Sequence, residues 1–155
     1  MNRWYTVKVK YNKKSEDGQE PKKANEAFLL PAVSFTDAEA RINKEIGQTA
    51  TGEFLVHAMS VTEITEIIRN NEGGQWYLGG ITISDEDDNG KVSKTKQNYM
   101  IEAMSVKDAT TNLEKELEDA MFEFETTKVA VSTIVDVLHA DLDVEISRTS
   151  AEETA

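Results

Sequence analysis

Lysines and aromatic residues alternate along the first strand-like segment of the chain. Trp4, Lys8 and Lys10 fall on one face of a strand, because side chains in strands alternate with a period of two. An aromatic plane beside ammonium groups can stack a base and pair with phosphates, as sheet proteins do with single-stranded nucleic acid. We therefore predict a nucleic-acid contact surface from this segment and the second tryptophan, made of Trp4, Lys8, Lys10, Tyr11, Lys13, Lys14 and Trp76.

Two other interpretations of these residues stay open. The lysines can protect a sheet edge from aggregation. The two tryptophans can fill a seam between two halves of the protein, or a dimer contact. The segment around Trp76 has no lysines at the positions that match Lys8 and Lys10, which favours a packing role for Trp76.

Residues 85–90, Asp-Glu-Asp-Asp-Asn-Gly, have oxygen-bearing side chains and a glycine at the spacing of a calcium-binding loop. The last ligand of such a loop is normally a glutamate, but Lys96 stands there and its positive charge would repel the ion. The flanking residues have strand patterns rather than helical ones. We therefore interpret residues 85–90 as an acidic hairpin turn and predict no metal site.

No set of residues in the sequence identifies a reaction. His57 and His139 have no second histidine at ligand spacing, and the chain contains no cysteine. Gly79-Gly80 falls within a strand pattern, where glycines mark a bulge or a close backbone contact rather than a phosphate-binding loop. We therefore expect a non-enzymatic protein that uses no cofactor.

The elements that position these side chains occur twice in the sequence. Three segments recur in the same order at offsets of 70 to 72 residues: Trp4-Tyr5 as Trp76-Tyr77, 28–34 as 99–105, and 61–68 as 131–138. The constant order and small drift favour a tandem duplication over chance similarity. The predicted repeats span residues 1–70 and 75–146 within one compact unit, and residues 147–155 are predicted to be a flexible tail.

Each repeat has the pattern strand, strand, helix, strand, which predicts an α+β fold with one helix per repeat. Short hairpin loops favour largely antiparallel sheets, and we expect an approximate two-fold relation between the repeats. Tyr5 and Tyr77 point to the opposite side of their sheets from Trp4 and Trp76. If the helices cover the tyrosines, Trp4 lies beside Lys8 and Lys10 on the other face. Residues 53–68 read as one long strand, bent or bulged near residues 58–60, because β-branched residues dominate its second half.

The predicted helices follow from apolar residues at helical spacing. Ser34 is expected to cap the first helix, and Gly47 is expected to end it. The second helix is expected from about residue 107 to residue 120, burying Ala109, Leu113, Leu117 and Met121.

Charge and composition limit the class of protein. A net charge of -12 over 155 residues argues against a polyanion as partner for the molecule as a whole. Residues 1–25 nevertheless contain seven basic and three acidic residues, so the first hairpin is basic. No run approaches the roughly 18 apolar residues of a membrane span, and the start of the chain lacks an apolar signal-peptide core. We expect a soluble, cytoplasmic protein.

Two segments resemble a known family: residues 4–11, Trp-Tyr-Thr-Val-Lys-Val-Lys-Tyr, and residues 32–40, Ala-Val-Ser-Phe-Thr-Asp-Ala-Glu-Ala. The family comprises small uncharacterised proteins of gut Bacteroidetes and of their phages and mobile elements. The resemblance covers roughly residues 3–146. It implies an intracellular setting and association with a phage or prophage, and it assigns no residue a role.

A second resemblance concerns architecture alone. Repeated sheet-plus-helix units are similar to those of single-strand DNA-binding proteins of the Whirly and purine-rich-element classes. The chain departs from these proteins in its smaller number of strands before each helix and in its less basic sheet.

The sequence thus favours an oligomeric binding protein that contacts single-stranded nucleic acid in the DNA metabolism of a phage or mobile element. The alternative is an acidic protein-interaction module or a structural homo-oligomer, for example one that binds a host factor. That alternative rests on the 10 basic and 26 acidic residues outside residues 1–25.

Overall fold

The chain forms two helices and eight strands in the part that a computed structural model describes, residues 2–13, 22–47, 50–70 and 72–138. In chain order the elements are β1 (Arg3–Lys13), β2 (Lys22–Ala32), α1 (Phe35–Gly47), β3 (Ala50–Val61), β4 (Glu66–Ile68), β5 (Gln75–Glu86), β6 (Val92–Ala103), α2 (Val106–Glu116), β7 (Glu123–Val131) and β8 (Ile134–Val137). Neither of these helices is long and apolar enough to cross a membrane.

The strands form two four-stranded sheets, with the orders β3-β1-β2-β8 and β4-β6-β5-β7. In the first sheet β1 runs antiparallel to β2 and β3, and the short β8 lies parallel to β2. In the second sheet β5 runs antiparallel to β6 and β7, and the short β4 lies parallel to β6. The fold is therefore α+β with mostly antiparallel sheets, as predicted.

Each sheet receives its short parallel strand from the other half of the sequence. One compact unit contains Met1–Thr62 and Thr133–Ala155, and the other contains Glu63–Ser132. These bounds differ from the predicted repeats, because residues 63–70 belong to the second unit and residues 133–138 to the first. The predicted tail lies outside the described residues, as does the rest of the chain beyond residue 138.

Corresponding residues of the two sheets have the same pairing. Tyr5 lies opposite Val61, and Tyr77 lies opposite Val131. The amide of Thr62 donates to the carbonyl of Trp4 at 2.8 Å, and the amide of Ser132 donates to that of Trp76 at the same distance. These features are compatible with the predicted duplication, which stays a prediction together with the rotation expected between the repeats.

Both helices begin with the same capping interaction. Ser34 Oγ accepts a hydrogen bond from the amide of Asp37 at 3.1 Å, and Ser105 Oγ accepts one from the amide of Asp108 at 3.0 Å. These bonds satisfy amides that have no partner within the helix. Helix α1 has its predicted bounds, and Ser34 is its cap.

Helix α2 is shorter than predicted. It ends at Glu116, and the buried Leu117 closes the last turn through its amide, which donates to the carbonyl of Leu113. Ala109 and Leu113 are buried as expected. The prediction for Met121 is wrong: its side chain is fully exposed, because it follows the helix and the helical spacing no longer applies there.

The core of each unit lies between its sheet and its helix. In the first unit the inward residues of β1 are Tyr5, Val7, Val9 and Tyr11, which pack with Ala38, Ile42 and Ile46 of α1. In the second unit Tyr77 packs with Ala109 and Leu113 of α2. The helices thus cover the tyrosines, the one of the two possible arrangements that leaves Trp4, Lys8 and Lys10 on the opposite face, and each helix buries one apolar stripe.

Residues 53–68 are extended, as predicted, but they form two strands in different sheets. Strand β3 follows β1, with an irregularity between Lys8 and Val9 that leaves His57 as the extra residue. The chain leaves the first sheet after Val61 and enters the second at Thr65, whose amide donates to the carbonyl of Asn98 at 2.7 Å. The single long strand was therefore wrong, because β4 pairs with β6.

Candidate functional site

The aromatic residues of the predicted contact surface are buried. Trp4 is 4% exposed, Tyr11 7% and Trp76 4%. Trp4 lies on the opposite face of β1 from Tyr5, as the alternation predicts, but its ring is covered. The expectation of an open aromatic plane beside the lysines is therefore corrected, since a covered ring offers no face for a base to stack on.

Tyr11 has a structural role. It lies on the helix side of β1, and its hydroxyl donates a hydrogen bond to Oε1 of Glu26 on the neighbouring strand. Burial raises the pKa of Tyr11 above its ordinary value, and the hydrogen bond and charge of Glu26 raise it further. The side chain therefore joins β1 to β2, and its buried ring offers no open face for a base to stack on.

Trp76 contacts a cation within its own unit. The guanidinium carbon of Arg69, in the residues that follow β4, lies 5.4 Å from the centroid of the Trp76 ring. This distance is that of a cation–π interaction. Trp76 is thus buried beside Arg69, and the seam or dimer contact suggested for it stays a prediction.

Lys8 and Lys10 are exposed on the face of the first sheet that is opposite α1. The strand pairing places Lys10 between Asn25 of β2 and Leu55 of β3, and Lys8 between Ala27 and Ala58. Lys13 is the last residue of β1, and Lys14 lies outside the described residues.

Three further polar residues lie on this face. Lys23 and Asn25 of β2 are both exposed and, being two residues apart, lie on the same side of the strand. That side is the side of Lys10, which pairs with Asn25. Nε2 of His57 lies 3.3 Å from Oδ1 of Asn25, so the imidazole reaches across β1 from β3. We define the basic face by five exposed residues on this side of the first sheet, Lys8, Lys10, Lys23, Asn25 and His57. The exposed Glu53 and Leu55 of β3 lie beside them.

An open cavity of about 350 Å³ lies at one end of the basic face. It is lined by Lys10, Tyr11, Asn12, Lys23, Ala24, Asn25 and Glu53. Glu53 is the single acidic side chain among these lining residues, and the lysines outnumber it. The cavity can therefore accept an anionic group, such as a phosphate, better than a cationic one.

Sequence reasoning missed Lys23, Asn25 and His57. The recurring segment 28–34 predicts the second strand only from Phe28 onwards, but β2 begins six residues earlier, at Lys22. The alternation of residues 23, 25 and 27 would have placed them on one face if the strand had been extended backwards. The position of His57 depends on the bulge in β3, which lies one residue before the bend predicted at residues 58–60.

The second sheet carries lysines on its corresponding face, but they are balanced by carboxylates. Lys94 and Lys96 lie opposite Ser84 and Thr82 of β5, whose other neighbours on β7 are Glu123 and Glu125. These lysines come from β6, so a search at the repeat offset from Lys8 and Lys10 does not find them. The positive charge is therefore less compensated in the first sheet, where Glu53 is the acidic neighbour of the lysines, than in the second.

A carboxyl pair lies at the edge of the second sheet. Burial, together with the charge and the hydrogen bond of Glu116, raises the pKa of Glu66 to about 7. Burial and these two carboxylates raise the pKa of Tyr99 to about 12, while its hydroxyl donates to Oε1 of Gln97 at 2.9 Å. Within the described ranges, no three histidine, cysteine, aspartate or glutamate side chains are grouped so as to hold a metal ion.

A family model described as a domain of unknown function (DUF4494) matches residues 3–140. The chain belongs to the DUF4494 family. The match covers most of the chain and confirms the resemblance to a family of unknown function. No curated protein matches the chain. Membership gives no residue a role, so the function of this DUF4494 domain has to be argued from the basic face.

Proposed function

We propose that this protein is a non-enzymatic binding protein whose basic face contacts the phosphates of single-stranded nucleic acid. The observation that supports the proposal is the cluster of three exposed lysines on the helix-free side of one sheet, in a chain of net charge -12. Such a local concentration of positive charge attracts a polyanion at close range, while the acidic remainder repels it. The process it serves is the DNA metabolism of a phage or mobile element.

The contact is electrostatic rather than aromatic. Lys8 and Lys10 are two residues apart on β1, roughly 7 Å along the strand, and Lys23 lies on the adjacent strand. Ammonium groups at such spacing can pair with successive phosphates. The amide of Asn25 and the imidazole of His57 add hydrogen-bonding groups between the lysines. With Trp4 and Tyr11 buried, stacking contributes nothing, so the binding is weakly selective for base type.

The proposal is tested by anisotropy of a labelled single-stranded oligonucleotide at about 50 mM and about 200 mM salt. The variant Lys8→Gln, Lys10→Gln, Lys23→Gln should bind less tightly, and the slope of log K against log salt should fall by about 2, since three phosphate contacts are lost. Tryptophan fluorescence should stay constant during binding, because Trp4 is buried.

The matched control removes the same charge from the second sheet. The variant Lys94→Gln, Lys96→Gln, Lys128→Gln should bind the oligonucleotide nearly as the unmodified chain does; Lys128 is an exposed residue of β7 that lies opposite Gly80 of β5. Equal losses in both variants would show that overall charge, and not the basic face, governs binding. No binding at low salt would overturn the proposal and favour the acidic protein-interaction or homo-oligomeric module.

A further inference from the structure

The second unit contains a cleft whose charged lining residues are all acidic, so it would repel nucleic acid. A cavity of about 780 Å³ lies where the end of the β5–β6 hairpin meets the start of β7. Its lining combines apolar, uncharged polar and acidic side chains: Ile83, Ser84, Asp85, Glu86, Val92, Thr95, Gln97, Met121, Phe122 and Glu123. A volume of this size accommodates one or two large side chains of a partner.

Three of the lining residues are large apolar side chains in contact with water. Met121 is 100% exposed, Val92 55% and Phe122 38%. The rings of Phe122 and Phe124 pack in a T-shaped arrangement, with 6.1 Å between the ring centroids. Neighbouring exposed apolar groups gain free energy when a partner covers them, and an unbranched methionine adapts to the shape of what covers it.

The charged lining residues of this cleft are all acidic: Asp85, Glu86 and Glu123. The hairpin turn beside it adds Asp87 and Asp88. Oδ1 of Asp87 accepts hydrogen bonds from the amides of Asn89 and Lys91, which orders the turn. The basic residues of the same hairpin, Lys91, Lys94 and Lys96, are not among the lining residues. Carboxylates at this density repel phosphates and attract ammonium or guanidinium groups.

We propose that this cleft docks a segment of a partner protein in which lysine or arginine residues flank a large apolar side chain. The apolar side chain packs against Val92, Met121 and Phe122, and the flanking cations pair with Asp85, Glu86 and Glu123. The inference is independent of the basic face, since every lining residue belongs to the second unit. It adds a protein partner to a molecule that also binds nucleic acid.

The probe is a labelled synthetic peptide in which lysines flank a Leu-Phe pair, titrated into the full chain at low salt. Two control peptides replace the Leu-Phe pair by Ala-Ala, or the lysines by glutamates. Both controls should bind at least about tenfold more weakly, because each lacks one half of the recognition. Amide shifts in a two-dimensional NMR spectrum should be confined to residues 83–97 and 121–124.

Variants of the chain separate the two contributions. Met121→Ser should weaken the peptide by about tenfold with little effect on folding, because the side chain is fully exposed. Glu86→Gln with Glu123→Gln should weaken it and reduce its salt dependence. The variant Lys8→Gln, Lys10→Gln, Lys23→Gln should bind the peptide as tightly as the unmodified chain does. Loss of peptide binding and loss of nucleic-acid binding are therefore separate results.

Three results would overturn the inference. If the Ala-Ala peptide binds as tightly as the Leu-Phe peptide, the lysines of the peptide are attracted to the negative charge of the protein in general and the apolar side chains of the cleft play no part. Shifts outside the cleft would place the peptide elsewhere. Concentration-dependent dimers that Met121→Ser dissociates would show that a second copy of the chain, and not a basic partner segment, covers the cleft.

Discussion

At Gly79 the backbone of β5 lies close to two core side chains, Ile101 of β6 and Leu113 of α2. A β-carbon added there would lie 2.6 Å from Cδ1 of Ile101 and 3.0 Å from Cδ2 of Leu113. Both atoms belong to fully buried side chains, which have little room to move. The glycine thus permits a close approach in the second unit, where the first sheet has Val7.

We predict that Gly79→Ala lowers the free energy of unfolding by about 1 to 3 kcal/mol, because the added methyl overpacks the core. Gly80→Ala is the matched control: the nearest atoms to its added β-carbon are 3.6 Å away, an ordinary contact. That variant should unfold at nearly the same urea concentration as the unmodified chain. A Gly79→Ala variant as stable as the Gly80→Ala variant would contradict the close approach.

Alternation of side chains along β1 was sufficient to predict which residues share a face, but not which of the two faces the helix covers. Tyr5 lies in the core and Lys8 and Lys10 lie on the opposite face, as expected. Alternation assigns a face but not what covers it, so the burial of Trp4 could not be predicted. The hydrogen bond of Tyr11 to Glu26 also depends on strand pairing, which is not local in sequence.

Strand β4 is three residues long and contains both a buried apolar residue and a half-buried carboxyl group. Ile68 is buried in the core of the second unit, and Glu66 lies opposite Tyr99 of β6. Glu66 also shares a hydrogen bond with Glu116 at the end of α2. Two carboxyl groups can share a hydrogen bond only when one of them holds a proton. The docking of β4 is therefore linked to pH.

We predict that the second unit loses stability as pH rises through about 7. The pKa of Glu66 in the folded chain is raised from 4.5 to about 7, so its contribution is complete below pH 4.5 and is lost as pH rises through the folded value. The loss should be about 1 kcal/mol, because solvent screens this half-buried carboxyl.

Urea unfolding at several pH values tests this prediction with Glu66→Gln, which cannot ionise. Between pH 4.5 and pH 8 the unmodified chain should lose stability that the variant does not lose, so the variant becomes relatively more stable as pH rises. Glu114→Gln, an exposed substitution on α2, serves as control and should follow the unmodified chain. Parallel pH profiles for Glu66→Gln and the unmodified chain would refute the shared proton.

The ends of elements were predictable where a residue type marks them. Gly47 marks the end of α1, while α2 ends at Glu116 with no glycine to mark it. No glycine or proline separates β3 from β4, so residues 53–68 read as one strand. The break follows from pairing with β6, a contact distant in sequence that a local pattern does not contain.

The whole molecule depends on an exchange of short strands between the halves of its sequence. Val137 of β8 is 4% exposed and lies opposite Leu29 of the first sheet, although it comes from the second half. Ile68 of β4 is 8% exposed in the second sheet, although it comes from the first half. Neither half of the sequence therefore contains all the strands of one sheet.

We predict that Val137→Asp weakens the first sheet and that Ile68→Asp weakens the second. A buried, unpaired carboxylate should cost about 2 to 4 kcal/mol in either place. Native-state hydrogen exchange measures each sheet separately. In the Val137→Asp variant the amides of β1 and β2 should lose more protection than those of β5 and β6, and Ile68→Asp should give the reverse. Greater loss in β5 and β6 for Val137→Asp would contradict the exchange.

The two units differ in surface charge as well as in sequence. The first carries the basic face, and the second carries the acidic cleft between its hairpin and β7. A single net charge of -12 conceals this separation. The molecule is consequently suited to hold a polyanion with one unit and a cationic protein segment with the other, which is the arrangement that our two proposals describe.

The most direct test of the basic face is a two-dimensional NMR titration of the full chain with a single-stranded oligonucleotide at low salt. We predict that amide shifts concentrate on β1, β2 and β3 around Lys8, Lys10, Lys23, Asn25 and His57, and that they disappear at high salt. Shifts centred on β5, β6 and β7, or an unchanged spectrum at low salt, would contradict the proposed function.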